Sequence, residues 1–273
     1  MSIVRVPAGP LRPFVQLVWL TDVSRDPRFG VERMLPSGAV HIAMRLAGPP
    51  VRIADQRGPD TLGHAVIGGP RSRFYLRDAS TPARSIGAVL APGAAPALLG
   101  VAASELAERH LPLDAVWSGA GALRERLQEC SSPETTLDLF ESALTGKLRQ
   151  AQEIDPIIPY ALARLEAGDD VGKVVEAIGL SHRHFLTRFL RAVGLSPKRY
   201  SRLRRVLRVL GAHGAWAEVA ANAGFSDQAH LTRELREIGG ITPGELRALW
   251  PGRGLHLPVP GASSDLFKTA SPR

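Results

Sequence analysis

The side chains best suited to chemistry in this chain are cationic, and they sit on short stretches of helical text. Arg183 and Thr187 lie one helical turn apart, opposite the apolar Phe185 and Phe189. An arginine placed this way offers guanine a two-pronged contact, worth about 1–3 kcal/mol in discrimination. Arg188, Arg191 and Arg236 suit phosphate groups, which position a protein on a duplex without reading its sequence. The same residue types also make an ordinary solvated helix face, so the wider charge pattern has to decide. Between Glu176 and Glu218 there is no acid, while Arg183, Arg188, Arg191, Lys198, Arg199, Arg202, Arg204, Arg205 and Arg208 all fall there. Solvated faces normally alternate in sign, and an unbroken basic stripe is the footprint of a polyanion partner. An acidic membrane surface would attract it too, but the chain carries no lipidation signal.

The residues that would support catalysis are scattered. His41, His64 and His110 lack metal-ligand spacing. His182 and His184 stand at i and i+2, so a helix points them apart. There is no Gly-x-Ser-x-Gly, no phosphate-binding Walker loop and no complete dinucleotide fingerprint. Cys130 as an alkyl acceptor of a DNA-repair enzyme is a conceivable role without an activating motif; a structural thiol is the simpler reading. No catalytic residue, metal site or cofactor is expected.

The elements that must position the basic residues come from an internal repeat. VGKVVEAIGLSHRHFLTRFLRAVGLSP, from Val171 to Pro197, returns as WAEVAANAGFSDQAHLTRELREIGGITP, from Trp216 to Pro243. The period is 45 residues at the front, where Gly179 matches Gly224 and Ser181 matches Ser226. It is 46 at the back, where Pro197 matches Pro243, so copy two has gained one residue between its Ser and its Pro. Val171, Val174, Val175 and Ile178 mark one face of a first helix. Gly179 or Gly224 then supplies a helix stop, and Ser181 or Ser226 is placed to cap a second helix. That helix buries Phe185, Phe189 and Val193 in copy one, and Leu231, Leu235 and Ile238 in copy two. Two helices joined by a short glycine turn make a helix-turn-helix, whose second helix can enter the major groove. A plain helical hairpin would share the pattern in one copy; two matched copies with a basic face favour DNA.

On these residues, above all GFSDQAHLTRELREIGGITP, the chain resembles the C-terminal DNA-binding domain of the AraC/XylS family of bacterial transcription regulators. The resemblance covers roughly Ile157 to Trp250. It implies two helix-turn-helix units joined by one long helix, with Gln228, His230, Thr232 and Arg233 at DNA-contacting positions. Gln suits adenine, and Arg233 suits guanine or a phosphate. Ser181 and Ser226 join the phosphate candidates. Two features depart from the family: Leu231 and Leu235 replace frequent Phe, and Glu234 puts an acid among basic neighbours. The extra residue leaves the register open by one position, so Leu186 competes with Thr187 for the groove-facing place. Pro197 to Leu210 reads as the joining helix, roughly 20 Å long, closed by Gly211.

The 273 residues allow two domains, and 44% hydrophobic with 22% charged residues is ordinary for a globular protein. The net charge of +8 is unevenly placed: residues 156–273 hold 17 Lys+Arg against 10 Asp+Glu, and residues 1–155 hold 17 against 16. A single cysteine fits a reducing compartment, no signal peptide is evident, and a cytoplasmic location follows. The uncharged stretch Ile86 to Ser104 approaches membrane-span length, but its Gly and Pro residues read as strand, turn and short helix.

Residues 1–152 read as β-rich, with helices toward the end. Strands are expected at Phe14–Leu20 with Val15, Leu17 and Trp19 on one face, at Val31–Leu35, and at Val40–Leu46. In the last, Val40, Ile42, Met44 and Leu46 oppose His41, Ala43 and Arg45. Val51–Ile53, His64–Ile67, Arg71–Leu76 and Arg84–Leu90 continue the pattern; Ala120–Gln128 and Pro133–Ala151 read as helices. A Leu-x-Pro-Phe-Val…Trp opening, a Leu-Pro-Ser-Gly turn and an Ala-Pro-Gly segment resemble the sensor domain of one subgroup of the same family. That resemblance implies an effector or oligomerisation module. Trp19, Met34, His41, Phe74 and Tyr75 are the pocket candidates, each equally readable as core, and Arg71 and Arg73 are possible neighbours of such a site.

The expected architecture is α+β: a β-rich sensor domain (1–152), an all-α DNA-binding domain with two helix-turn-helix units and a long helix (156–250), and a loosely ordered Pro/Gly/Ser-rich tail (251–273) that can fold back. The expected function is transcription regulation. Double-stranded DNA is the main partner, with a small-molecule effector, RNA polymerase for an activator, a homodimer, and no membrane. The rival is a ligand-sequestering or protein-interaction module with a degenerate helix-turn-helix domain, for which Glu234 and Leu186 argue.

Overall fold

The computed structural model describes residues 1–23, 30–148, 153–250, 252 and 254–267. The N-terminal half is two antiparallel sheets. Its strands are β1 (Ser2–Arg5), β2 (Val15–Val23), β3 (Val31–Met34), β4 (His41–Ala47), β5 (Val51–Asp55), β6 (Gly58–Gly63), β7 (Ala65–Gly68), β8 (Tyr75–Asp78), β9 (Ala83–Leu90) and β10 (His110–Pro112). One sheet runs β1-β2-β9-β4-β7-β10. The other runs β3-β8-β5-β6, completed at its β3 edge by β11 (His256–Pro258) from the far end of the chain.

The alternation in β4 splits this half into two environments. Ile42, Met44 and Leu46 join a core with Val18, Leu20, Ile86 and Ala88, packed under four helices: α1 (Ala94–Leu99), α2 (Ala103–Leu106), α3 (Ala120–Gln128) and α4 (Pro133–Leu148). His41, Ala43 and Arg45 face the other sheet, where Ile53, Leu62 and Val66 form only a small cluster with Ala43 and Tyr75. β2 departs from the expected face assignment. A register shift between Val15 and Leu17 puts Val15, Val18 and Leu20 in the core and turns Trp19 to the opposite side, over Gly87. β8 starts at Tyr75, so Arg71 to Phe74 lie ahead of it rather than in a strand. β6, spelled GPDTLG, was not expected, because Gly and Pro mask strand text. The stretch from Ile86 to Ser104 is the end of β9, α1 and the start of α2; among the described residues no helix is long and apolar enough to cross a membrane. The last residues of the expected helix Pro133–Ala151, and the boundary at 152, lie outside the described residues.

The second half is helical: α5 (Ile157–Glu166), α6 (Val171–Ile178), α7 (His182–Val193), α8 (Pro197–Leu207), α9 (Trp216–Ala223), α10 (Gln228–Glu234), continued by a wider π-type turn over Leu235–Gly239, and α11 (Pro243–Leu249). One core runs through them and includes Phe185, Phe189, Tyr200, Leu203, Leu231 and Leu235. Leu35, just past β3, and Leu257 of β11 belong to this same core. The segment expected as a loose tail is therefore ordered over 254–267: it supplies β11, and it ends in a turn that buries Phe267.

Candidate nucleic-acid interface

The local sequence explains why the two helix pairs form. Asp170 caps α6 by accepting from the Lys173 amide at 2.9 Å, and Gly179 closes it in the left-handed region (φ 72°). Gly224 closes α9 in the same way (φ 84°). The two turns then differ. In copy one the chain needs only Leu180 before Ser181 caps α7, its Oγ accepting from the His184 amide at 3.3 Å. In copy two, Phe225 and Ser226 precede the cap, and Asp227 does the capping, accepting from the His230 amide at 2.6 Å. The expected cap Ser226 instead meets the His230 ring (Oγ to Nδ1, 3.1 Å). The gained residue thus sits in the turn, and the register follows: from the helix starts onward the offset is 46 throughout. Arg183 matches Ala229, Leu186 matches Thr232, Thr187 matches Arg233, and Leu190 matches Arg236.

One face of α7 carries Arg183, Leu186, Thr187 and Leu190, at i, i+3, i+4 and i+7. Arg183, Thr187 and Leu190 are exposed, and Leu190 keeps 43% of its surface. A leucine this open among basic residues is the one member of the face that the charge pattern had hidden. On the matching face of α10, Ala229, Arg233 and Arg236 are exposed and Thr232 is half-buried, with exposed Gln228 beside it at the helix start. The hydroxyls of Thr187 and Thr232 donate back to Arg183 O (3.0 Å) and Gln228 O (2.8 Å).

Several expected contacts have other roles. His230 is half-buried: its ring meets Phe225 edge-on at 5.4 Å and its Nε2 lies 3.6 Å from Glu234 Oε1. Arg188 is taken up by Asp155, with two bonds of 2.9 and 2.8 Å. Glu234, the acid that seemed to spoil the basic surface, is only 8% exposed and pairs inward with Arg202 of α8. Arg202 also binds Glu237, whose carboxylate reaches Arg73 of the N-terminal half at 2.9 Å.

The basic stripe is therefore two populations. Arg204 pairs with Glu166 at 3.2 Å; Arg205 donates to Gly224 O at 3.2 Å; Arg208 donates to Glu166 O and Ala223 O. Arg205 of α8 and Arg208 just past it thus hold carbonyl ends of neighbouring helices, where the macrodipole favours a cation. Arg183, Arg191, Lys198 and Arg199 remain exposed, and none of their side chains has a hydrogen bond or ion pair among the described residues. α8 ends at Leu207, earlier than expected, and spans about 16 Å at 1.5 Å per residue.

The pocket candidates divide. Trp19, Met34, His41 and Tyr75 lie on the facing surfaces of the two sheets, as the pairings Trp19–Gly87, Met34–Tyr75 and His41–Val89 require. Phe74 does not. Its ring lies against Gly240 and under the Arg33 guanidinium (5.3 Å), and its amide donates to Ile238 O at 2.8 Å, so it is a contact between the two halves. Burial pushes His41 down to about 4 and, with Arg71 nearby, His110 to about 3. No group of three metal-binding side chains occurs among the described residues.

Comparison with known proteins now bears on this arrangement. Residues 174–248 match the family described as a helix-turn-helix domain, and residues 4–112 match a domain of unknown function, DUF6597. The invasion protein InvF of Salmonella typhi is 29% identical over 94 residues, covering 33% of this chain and 44% of that protein; its counterpart in Salmonella typhimurium gives the same figures. The match thus spans less than half the length of these relatives. Among solved structures, ToxT of Vibrio cholerae aligns at 11% identity over 84% of this chain and 96% of that one, with a TM-score of 0.48. The AraC-like transcriptional activator CuxR aligns at 15% identity over 76% and 85%, with a TM-score of 0.23. The C-terminal helices thus form two helix-turn-helix units, and residues 174–248 of them match the helix-turn-helix family.

Proposed function

We propose that this chain is a cytoplasmic, sequence-specific regulator of transcription. In this reading residues 156–250 bind double-stranded DNA, and residues 1–152 take a small-molecule effector or mediate dimerisation; an activator would in addition meet RNA polymerase. The observation that carries the reading is the pair of open faces on α7 and α10: beside them Glu234 and Asp155 are engaged by arginines of the same domain, and Asp227, near Arg233, is spent on capping α10. Arg183, Thr187, Gln228, Thr232 and Arg233 are the base readers, joined by Leu186 and Leu190, which suit the methyl group of thymine. Arg191 and Arg236 hold phosphates. The rival, a degenerate domain used for sequestration, drew on Glu234; with that side chain turned inward it loses its main support.

The test is selection of duplexes from a random pool by the full-length protein at two salt concentrations. The expected result is a two-part motif with centres about one helical turn apart. Salt-sensitive binding with no enriched motif would leave only the electrostatic attraction of the basic patch and would end the regulator reading.

A further inference from the structure

Arg45 is in an unusual position for an arginine. It lies mid-strand in β4, on the face turned toward the second sheet, and only 7% of it is exposed. Its Nε is buried without a hydrogen-bond partner, and its guanidinium makes no ion pair among the described residues. Burying an unpaired charge is costly enough that folded proteins normally supply a partner. The acid whose charge reaches it, Asp78, is engaged by Arg52 and Ser80; elsewhere in the second sheet Glu32 is engaged by Arg77, and Asp55 by Arg71. With those pairs matched, Arg45 is left without a partner among the described residues on the facing surfaces of the two sheets.

The residues on its side of the sheets are not closed over. Trp19, Met34, His41, Ala43 and Tyr75 lie between two sheets yet each keeps accessible surface. His256 of β11, opposite Met34, keeps 49% of its side-chain surface and lies 3.7 Å from Glu32. Burial, and then the neighbouring Arg77 charge, pull the Arg45 guanidinium below its usual value, with Asp78 opposing. The apolar part of the walls is Ile53, Val66, Tyr75 and Trp19, beside the His41 ring and the Arg77–Glu32 ion pair.

We infer that the inter-sheet space binds a small organic monoanion, a carboxylate with a compact apolar body, whose charged group pairs with Arg45. One unmatched cation calls for one negative charge, which argues against a polyphosphate. The apolar walls call for a body that gains from leaving water. The inference rests on the reading of residues 1–152 as an effector domain and adds the chemical class.

The experiment uses the full-length chain and thermal unfolding. Straight-chain and cyclic carboxylates of two to eight carbons are compared with their primary amides and with inorganic phosphate, for wild type and Arg45→Met. For wild type, at least one carboxylate should raise Tm by about 2–4 °C while its amide and phosphate do not. Arg45→Met should fold, match or exceed the wild-type Tm without ligand because the stranded charge is gone, and lose the carboxylate response. Three results would overturn the inference: no carboxylate outperforming its amide, an unchanged response in Arg45→Met, or a ligand-free Tm lowered by the substitution, which would mean that Arg45 is already satisfied. Motif selection by the same Arg45→Met protein separates the two proposals. An enriched motif without any carboxylate response removes the anion site and leaves the DNA reading standing.

Discussion

A side chain's role on the recognition helices depends on what else it touches. Arg233 is exposed, and its side chain has no hydrogen bond or ion pair among the described residues, whereas Arg188 is spent on Asp155. Arg233→Ala should therefore reduce the preference for the best site over scrambled duplexes. Arg191→Ala should weaken all duplexes alike and lower the salt slope by about one unit. Equal weakening of every sequence by both changes would refute base reading by Arg233. Glu234 invites the opposite error. As an acid on a DNA face its removal would strengthen binding; as the inward partner of a partly buried Arg202 its removal should cost stability. Glu234→Ala is expected to lower unfolding stability by about 1–2 kcal/mol, discounted because Arg202 keeps Glu237 and some solvent. A urea titration decides, and unchanged stability with tighter DNA binding would reinstate the surface role.

At the level of elements, the two copies show how one residue can be added without moving a recognition face. The insertion falls in the turn, the cap passes from Ser to Asp, and the helix that follows restarts in register. Asp227→Ala should then cost about 1 kcal/mol, the usual loss of a helix cap, while Ser226→Ala should cost much less. Comparable losses in the two variants would place the cap elsewhere. The paired acids on α10 and its continuation follow the same logic. Arg202 on α8 fixes both Glu234 and Glu237, so the joining helix is tied by charge to the second unit as well as by packing.

Across the whole molecule, the chain's last ordered segment couples the two halves. β11 extends the sheet beside β3, while Leu257 lies fully buried in the helical core together with Leu35. Leu257→Ala should destabilise by about 2–5 kcal/mol, as deleting a buried leucine side chain does, and a loss below 1 kcal/mol would show that the segment only rests on the surface. Acid should act on the same region. His41, His110 and His256 are held at about 4, 3 and 4, below the ordinary value near 6.5, chiefly by burial. The unfolded chain therefore takes up protons before the fold does. Their contribution to stability is complete above about pH 6.5 and is lost as pH falls through that value toward 4 and 3. Tm measured from pH 7 to 4 should decline across that window, less steeply in His256→Asn; a flat profile would mean that these rings are freely hydrated.

The sequence by itself determined what is local. Periodicity and glycine placement fixed the helix pairs, because a 3.6-residue repeat and a left-handed stop act within a few residues. Alternation in β4 fixed which of its residues share a face, Arg45 among them. Tertiary structure decided whatever depends on partners distant in the chain. Trp19 changed faces through a bulge, a local shift set by pairing with β9. Five arginines of the basic stripe proved to be engaged by acids or carbonyls in other segments, which no charge count can foresee. The tail became a strand because an open edge at β3 and a gap in the helical core were both within its reach. Arg45 was legible as a polar residue on a strand; that it has no counter-charge is a property of the packed molecule, since only folding brings together, or fails to bring together, charges so far apart in sequence.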